Sequence, residues 1–302
     1  MTKQLKADLM LLMITIFWGI SYYLSDISLS DMGSFTLNAH RFLIAFFIAA
    51  LLTFPKLKNV SKNTLKYSLI IGAALTVVYI GANFGVMYTT LSNTSFLCGL
   101  AVVFTPIVSS IIHKKAPDKK LTMVIIMTTI GIALLTLKDN FSLNQGNLFG
   151  DAASVMCALA YAIDLNITEK AVSLEDVDPF QLGVFQLGVT GVLNFTLAII
   201  FEKPHFPTQP NIWASVLFLA ILCTGVAFVV QAIAQQYTTA SHVGVIFSLE
   251  TVFAGIVAFA FAKEVLTFKA YFGAALMIAS IFIMEIDFKE LIKKRRRRIE
   301  QE

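Results

Sequence analysis

Apolar residues run through this chain in long windows broken by short polar stretches. A helix needs about 20 apolar residues to cross a hydrocarbon core of roughly 30 Å. Ten windows approach that length: residues 7–27, 34–54, 66–88, 93–113, 120–137, 146–168, 180–201, 213–235, 240–262 and 268–286. The breaks are polar or contain Pro or Gly, as in FPKLKNVSKN after the second window and FEKPHFPTQPN after the seventh. The expected fold is an all-α integral membrane protein with ten transmembrane helices. Lys3 and Lys6 precede the first window, as in a signal peptide. That window reaches spanning length and no A-x-A-like site follows, so it reads as an uncleaved first span.

The chain also repeats itself. Residues 88–108 read YTTLSNTSFLCGLAVVFTPIV, and residues 237–257 read YTTASHVGVIFSLETVFAGIV. At an offset of 149 these 21 positions align without a gap and 9 are identical: Tyr88, Thr89, Thr90, Ser92, Leu100, Val103, Phe104, Ile107 and Val108 in the first copy. A second echo, at an offset of 145, pairs Phe35 and Arg41 with Phe180 and Gln186. Five helices per repeat is an odd number, so the second copy enters the membrane upside down relative to the first. The expected architecture is two inverted five-helix repeats, residues 1–142 and 143–288, followed by a basic tail at 289–302. Such symmetry gives two near-equivalent conformations open to opposite sides, which suits alternating access. The competing explanation is a duplication kept only as a scaffold.

Composition closes off the soluble alternatives. The chain is 57% hydrophobic and only 14% charged, with a mean hydropathy of +0.77. A soluble surface needs roughly 25% charged residues, so lipid must solvate much of this one. With the N-terminus placed in the cytoplasm, 18 Lys and Arg fall in inner segments and 4 in outer segments. That bias predicts a multi-pass protein of the cytoplasmic membrane with both termini inside. The run Lys293–Arg298 (KKRRRR) could suit nucleic acid. It directly follows an apolar window, so contact with anionic lipid headgroups is the better reading, with no nucleic-acid partner. Cys98, Cys157 and Cys223 sit inside apolar runs without a C-x-x-C partner, which supports neither disulfides nor zinc and reads as small packing residues. No cofactor is implied.

Several short motifs then fall into a known order. Phe17-Trp18-Gly19 lies in the first span and Arg41 in the second. Ser248-Leu249-Glu250-Thr251-Val252-Phe253 lies in the second repeat, and Lys263-Glu264 precedes the last span. Together they resemble the drug/metabolite transporter superfamily, EamA type, over nearly the whole chain. Thr251 stands where that pattern usually has proline, and Lys115 where the first repeat's loop usually has glutamate. The resemblance implies export or uptake of small metabolites through a central cavity.

Ionisable groups within spans are costly, about 2.5–3.5 kcal/mol on insertion scales, and usually face a cavity or a partner. Glu250 lies near a midplane and could carry a proton, bind a cation or pair with Arg41; a helix-packing hydrogen bond is the plainer role. Arg41 could grip a carboxylate in bidentate fashion, or snorkel, or lock the fold. Its neighbour His40 points about 100° away. Asp164 lies near the inner end of its span with Tyr161 three residues before it, where water could reach it. Trp18 with Tyr22, Tyr79 with Asn83, and Gln231 with Gln235 each share a helix face and could line a cavity or bridge helices. Gly81-x-x-x-Gly85 reads as close helix packing. Pro106, with Gly255 as its copy, predicts a soft point in both repeats.

The expected function is a secondary transporter moving a small organic metabolite, with an amino-acid-like solute favoured, in the mode of a proton-coupled exporter. The alternative is a membrane-embedded enzyme acting on lipid-like substrates. Only four His are present, without H-E-x-x-H or an Asp-rich motif, which weighs against it. No G-x-x-x-x-G-K-[ST] occurs, which weighs against ATP-driven pumping. A monomer or homodimer is expected.

Overall fold

The computed structural model describes residues 2–89, 91–136, 148–261 and 267–285. Among them helix accounts for all regular structure and no strand occurs. In lipid this is the expected outcome, because a helix satisfies its own backbone amides. The elements are α1 (Lys3–Leu29), α2 (Ser34–Thr53), α3 (Lys62–Tyr88), α4 (Leu91–Gly99), α5 (Ala101–His113), α6 (Lys119–Thr136), α7 (Leu148–Val172), α8 (Pro179–Phe201), α9 (Pro210–Ala220), α10 (Ala227–Ala234), α11 (Ala240–Phe247), α12 (Glu250–Phe261) and α13 (Phe268–Glu285). Eight segments among the described residues are long and apolar enough to cross a bilayer; α4–α5, α9–α10 and α11–α12 each count as one. The predicted spans at 120–137 and 268–286 are the apolar helices α6 and α13, each adjoining undescribed residues. The tail at 289–302, the loop Lys263-Glu264 and Thr90 lie outside the described residues.

Local sequence fixes the helix starts. Ser61, Asp178 and Thr239 cap α3, α8 and α11 by accepting first-turn amides. Pro179 and Pro210 occupy first helical positions, where a missing N–H costs nothing.

Helix bounds recur along the chain. α6 and α13 start and end 149 residues apart, and α1 and α7 both end at positions 143 apart. The recurrence extends to hydrogen bonds. α4 gives way to α5 at Leu100 through the bonds Leu100 N to Leu97 O, Val103 N to Leu100 O and Phe104 N to Leu100 O. α11 gives way to α12 at Leu249 through Leu249 N to Ile246 O, Val252 N to Leu249 O and Phe253 N to Leu249 O, the same three bonds 149 residues later. The interruption expected at Pro106 and Gly255 therefore sits six residues earlier. Pro106 is carried within α5.

Side-chain ties define two ends of the bundle. On the face holding the start of α1, here the N-face, Asp8 meets His242 at 3.2 Å. On the same face Gln181 at the start of α8 donates to the Lys56 and Lys58 carbonyls past the end of α2. On the far face Glu202, after α8, accepts from Phe35 N, Thr36 N and the Thr36 hydroxyl at the start of α2. α2 and α8 are thus tied at both ends, and Gln181 lies 145 residues after Thr36. α1 packs with α9 to α12, whereas α7 packs with α3, α4 and α5; α6 packs along α13. Gly19 lets α1 lie against Phe253 of α12, and Gly81 lets α3 lie against the Ala153 carbonyl of α7. A side chain at either would overlap backbone or Cβ atoms.

Candidate functional site

A cavity of ≈ 110 Å³ lies between the α1/α9–α12 group and the α3–α5/α7 group. That volume is room for several waters or a small solute. The long helices place its walls. Trp18 and Tyr22 come from α1, Arg41 from α2, Tyr79 and Asn83 from α3, Tyr161 from α7 and Glu250 from the first turn of α12.

A π-helical turn, Ile221–Val226, joins α9 to α10 and anchors two of these walls. Its displaced backbone leaves the Cys223 carbonyl to accept from the Trp18 indole at 2.8 Å. Thr224, in the same turn, accepts from Arg41 Nε at 2.9 Å. Trp18 then makes ring contacts with Tyr161 (5.9 Å), Phe228 (5.6 Å) and Phe247 (4.7 Å). These rings form the N-face floor of the cavity.

Arg41 is 1% exposed. Its guanidinium lies 4.5 Å over the Tyr79 ring, and Nη2 has no hydrogen-bond partner. The sole ion pair at 4 Å or less among the described residues is Asp8–His242, so of the roles open to Glu250 the pairing with Arg41 is not formed. A buried cation without a counter-charge costs several kcal/mol. Arg41 lines the cavity, so an anion bound there would lie beside this cation. On the other side Glu250 borders the same space with the Tyr22 hydroxyl in hydrogen-bonding reach. The arrangement offers a fixed cation, an acid and aromatic faces around one cavity. Among the described residues no cluster of three or more His, Cys, Asp or Glu could hold a metal ion.

Of the residues singled out from sequence, Trp18, Tyr22, Arg41, Tyr79, Asn83, Tyr161 and Glu250 line this cavity. Gln186, Gln231, Gln235 and Asp164 do not. Gln186 points its amide to the Phe228 carbonyl at 3.5 Å and ties α8 to α10. Gln231 stands behind Tyr161, accepting from its hydroxyl at 3.2 Å. Asp164 was expected where water could reach it, yet it is 0% exposed. Gln231 is its nearby polar side chain, but neither carboxyl oxygen meets a donor in bonding geometry. The neighbouring α10 and the turn Gln235–Tyr237 bury that part of α7 more deeply than its position in the span suggests. Cys98 and Cys157, expected as packing residues, line the cavity as well, while Cys223 is buried behind it. Ser21, Ser25, Ser95, Ser248 and Thr251 complete the polar wall. Sequence gives no signal for these, because small hydroxyls in helices are equally at home bonding the carbonyl a turn earlier.

The sequence profile of the EamA-like transporter family matches residues 5–137 and 148–286. An "Uncharacterized transporter" of Archaeoglobus fulgidus is 30% identical over 94% of this chain and 87% of its own. The "Uncharacterized transporter YoaV" of Bacillus subtilis is 23% identical over 94% and 98%. One solved crystal structure superposes with a TM-score of 0.78 over 95% of this chain and 98% of its own at 14% identity, a likeness of fold. Family and relatives are transporters, which sets aside the membrane-enzyme alternative. The chain belongs to the EamA-like transporter family and is a multi-pass membrane transporter.

Proposed function

We propose that this transporter carries a small organic metabolite, amino-acid-like in charge, across the cytoplasmic membrane by alternating access. The observation that carries the reading is the cavity with Arg41, which has no counter-charge within 4 Å among the described residues, on one wall and Glu250 on another. A solute bearing both a carboxylate and an amine would complete both, and the ring faces of Trp18, Tyr79 and Phe247 would take an apolar side chain. Glu250 is the residue proposed to couple transport to protons, in an exporter with both termini cytoplasmic. The N-face is then the cytoplasmic face.

The architecture proposed for this cycle is ten spans arranged as two inverted repeats, residues 1–142 and 143–288. The recurring helix bounds and the duplicated bonds at Leu100 and Leu249 support it. The basic tail at 289–302 would meet anionic lipid. The test is a panel of amino acids and related solutes against purified protein, read as thermal stabilisation, since a ligand of the native state raises apparent stability by mass action. Stabilisation by amino acids and not by their amides or decarboxylated amines is the expected result. Equal stabilisation by all three would remove Arg41 from carboxylate recognition.

A further inference from the structure

The two groups of helices do not meet evenly. Contacts between them gather toward the N-face, where α11 packs on α5 and α7 and the turn Gln235–Tyr237 packs on α7. One face of α7 forms that closure. Tyr161, Leu165 and Glu169 are spaced by four residues, so they stack along one stripe of the helix. The Tyr161 hydroxyl donates to Gln231 Oε1 at 3.2 Å. The Leu165 carbonyl accepts from Gln235 Nε2 at 3.0 Å. Glu169 Oε2 accepts from the backbone N–H of Ala240, the first residue of α11, at 2.9 Å. The last bond caps a helix start with a carboxylate, a charge-assisted contact.

The same stripe exists on α1. At the offset of 143 that relates the ends of α1 and α7, WGISYYLSD (18–26) aligns with YAIDLNITE (161–169). Trp18 then answers to Tyr161, Tyr22 to Leu165 and Asp26 to Glu169. On the far face this stripe is not engaged as on α7. Trp18 and Tyr22 border the cavity, opposite Ala82 and Val86, which stand 149 residues before Gln231 and Gln235. Asp26 is exposed. The position that answers to Ala240 is Leu91, the first residue of α4.

We infer that Glu169 and Asp26 are equivalent gating acids, Glu169 closing the N-face by capping α11 in this state and Asp26 closing the far face by capping α4 in the alternate state. The inference rests on the alternating-access reading above and assigns its two positioning residues. Closing the far face brings α1 to α3 and α4, as α7 is now brought to α10 and α11. Opening the N-face releases the Ala240 amide.

A reporter thiol separates the two acids by sign. Thr105 of α5 is buried and faces Gly244 of α11 in the closed N-face. Thr105→Cys, in protein whose Cys98, Cys157 and Cys223 are replaced by Ala, is labelled by N-ethylmaleimide only when the N-face opens. Glu169→Ala removes the cap of the closed state and should speed labelling roughly fivefold. Asp26→Ala removes the cap of the open state and should slow it roughly fivefold. Glu169→Gln and Asp26→Asn, which keep an acceptor oxygen, should recover part of each shift. Equal or same-sign effects from the two alanine variants would overturn the equivalence, because a purely structural acid has no reason to slow opening of the opposite face. Counterflow of a labelled amino-acid mixture separates this from the transport reading. Counterflow with unshifted labelling sinks the gating acids alone, whereas opposite-sign labelling without counterflow upholds the gates and sinks the solute class.

Discussion

The two halves of the cavity region are built from matching stripes and differ in what they touch. On the N-face the α7 stripe is bonded to α10 and α11 at three successive turns. On the α1 stripe Trp18 bonds the Cys223 carbonyl, Tyr22 borders the cavity and Asp26 is exposed. The difference cannot lie in helix propensity, since both stripes are long, apolar and helical. It lies in the partners at the opposing positions: Gln231 and Gln235 on one side, Ala82 and Val86 on the other. Amides can cross-link helices in a low-dielectric interior, where each such bond is worth about 0.6 kcal/mol on average. Alanine and valine can only pack. The N-face closure is therefore held by cross-helix bonds that the side chains at the opposing far-face positions cannot make.

The largest effect that would sharpen this comparison comes from Arg41. Arg41→Lys loses the planar fork and should weaken amino-acid binding by about 100-fold, measured by calorimetry or stabilisation titration. Arg41→Met should abolish binding while holding or raising the melting temperature of the unliganded protein, because a buried unpaired charge is replaced by apolar volume. A fall in stability that parallels the loss of binding would make Arg41 a lock of the fold instead.

Next in size is Glu250→Gln. The variant keeps shape and hydrogen bonding but cannot ionise. Proteoliposomes with an imposed pH gradient should lose gradient-driven accumulation while exchange persists. Unchanged accumulation would leave Glu250 a structural acid. Ala101 holds the matching position in the first repeat, so packing in the repeat does not itself demand an acid.

Gly19→Ala acts on the scaffold that both halves share. A methyl there overlaps Phe253 of α12, and overpacking of this kind costs about 1–3 kcal/mol. A lower melting temperature in detergent is expected, with solute affinity in the surviving folded protein unchanged. Undiminished stability would show that α1 and α12 do not hold this close approach.

The smallest effect sits at the far-face surface, where Asp31 accepts from the Thr208 amide at 3.0 Å and from its hydroxyl. Those bonds hold the Asp31 carboxyl below its ordinary value. A folded-state value below the unfolded one contributes stability above the unfolded value, and that contribution is lost as pH falls through the folded one. Thr208→Ala should therefore lower the melting temperature slightly at neutral pH, with the difference from the parent protein shrinking in the acid range. A difference that grows on acidification would contradict the pairing.

Much of this was legible beforehand where the physics is one-dimensional. Apolar length predicts spans, and the ten windows correspond to helices, eight of which have full spanning character among the described residues. Trp18, Arg41, Tyr79, Asn83, Tyr161 and Glu250 stood out because polar and aromatic groups in lipid need a reason. What was not legible depends on which way a helix turns. Asp164 lies three residues from Tyr161, yet one borders the cavity and the other is buried against α10. Gln186 and Gln231 have the chemistry of a binding site but spend it between helices. Pro106 suggested the break, but Leu100 and Leu249 carry it, because the local backbone relaxes by three-residue turns upstream. The resemblance of WGISYYLSD to YAIDLNITE was present in the letters. One of its nine positions is identical, Ile20 with Ile163, and the aromatic at its start and the acid at its end keep their chemical type; it takes the packing of α1 and α7 to give them meaning.

The central claim is that one cavity, with Arg41 as its anion site, is presented in turn to the two faces. Counterflow tests it most directly. Proteoliposomes loaded with an unlabelled amino-acid mixture are diluted into the same mixture carrying a trace of label. The account predicts a transient overshoot of labelled solute with the native protein and none with Arg41→Lys. Label that rises only to simple equilibrium in the native protein, or an overshoot that Arg41→Lys retains in full, would contradict it.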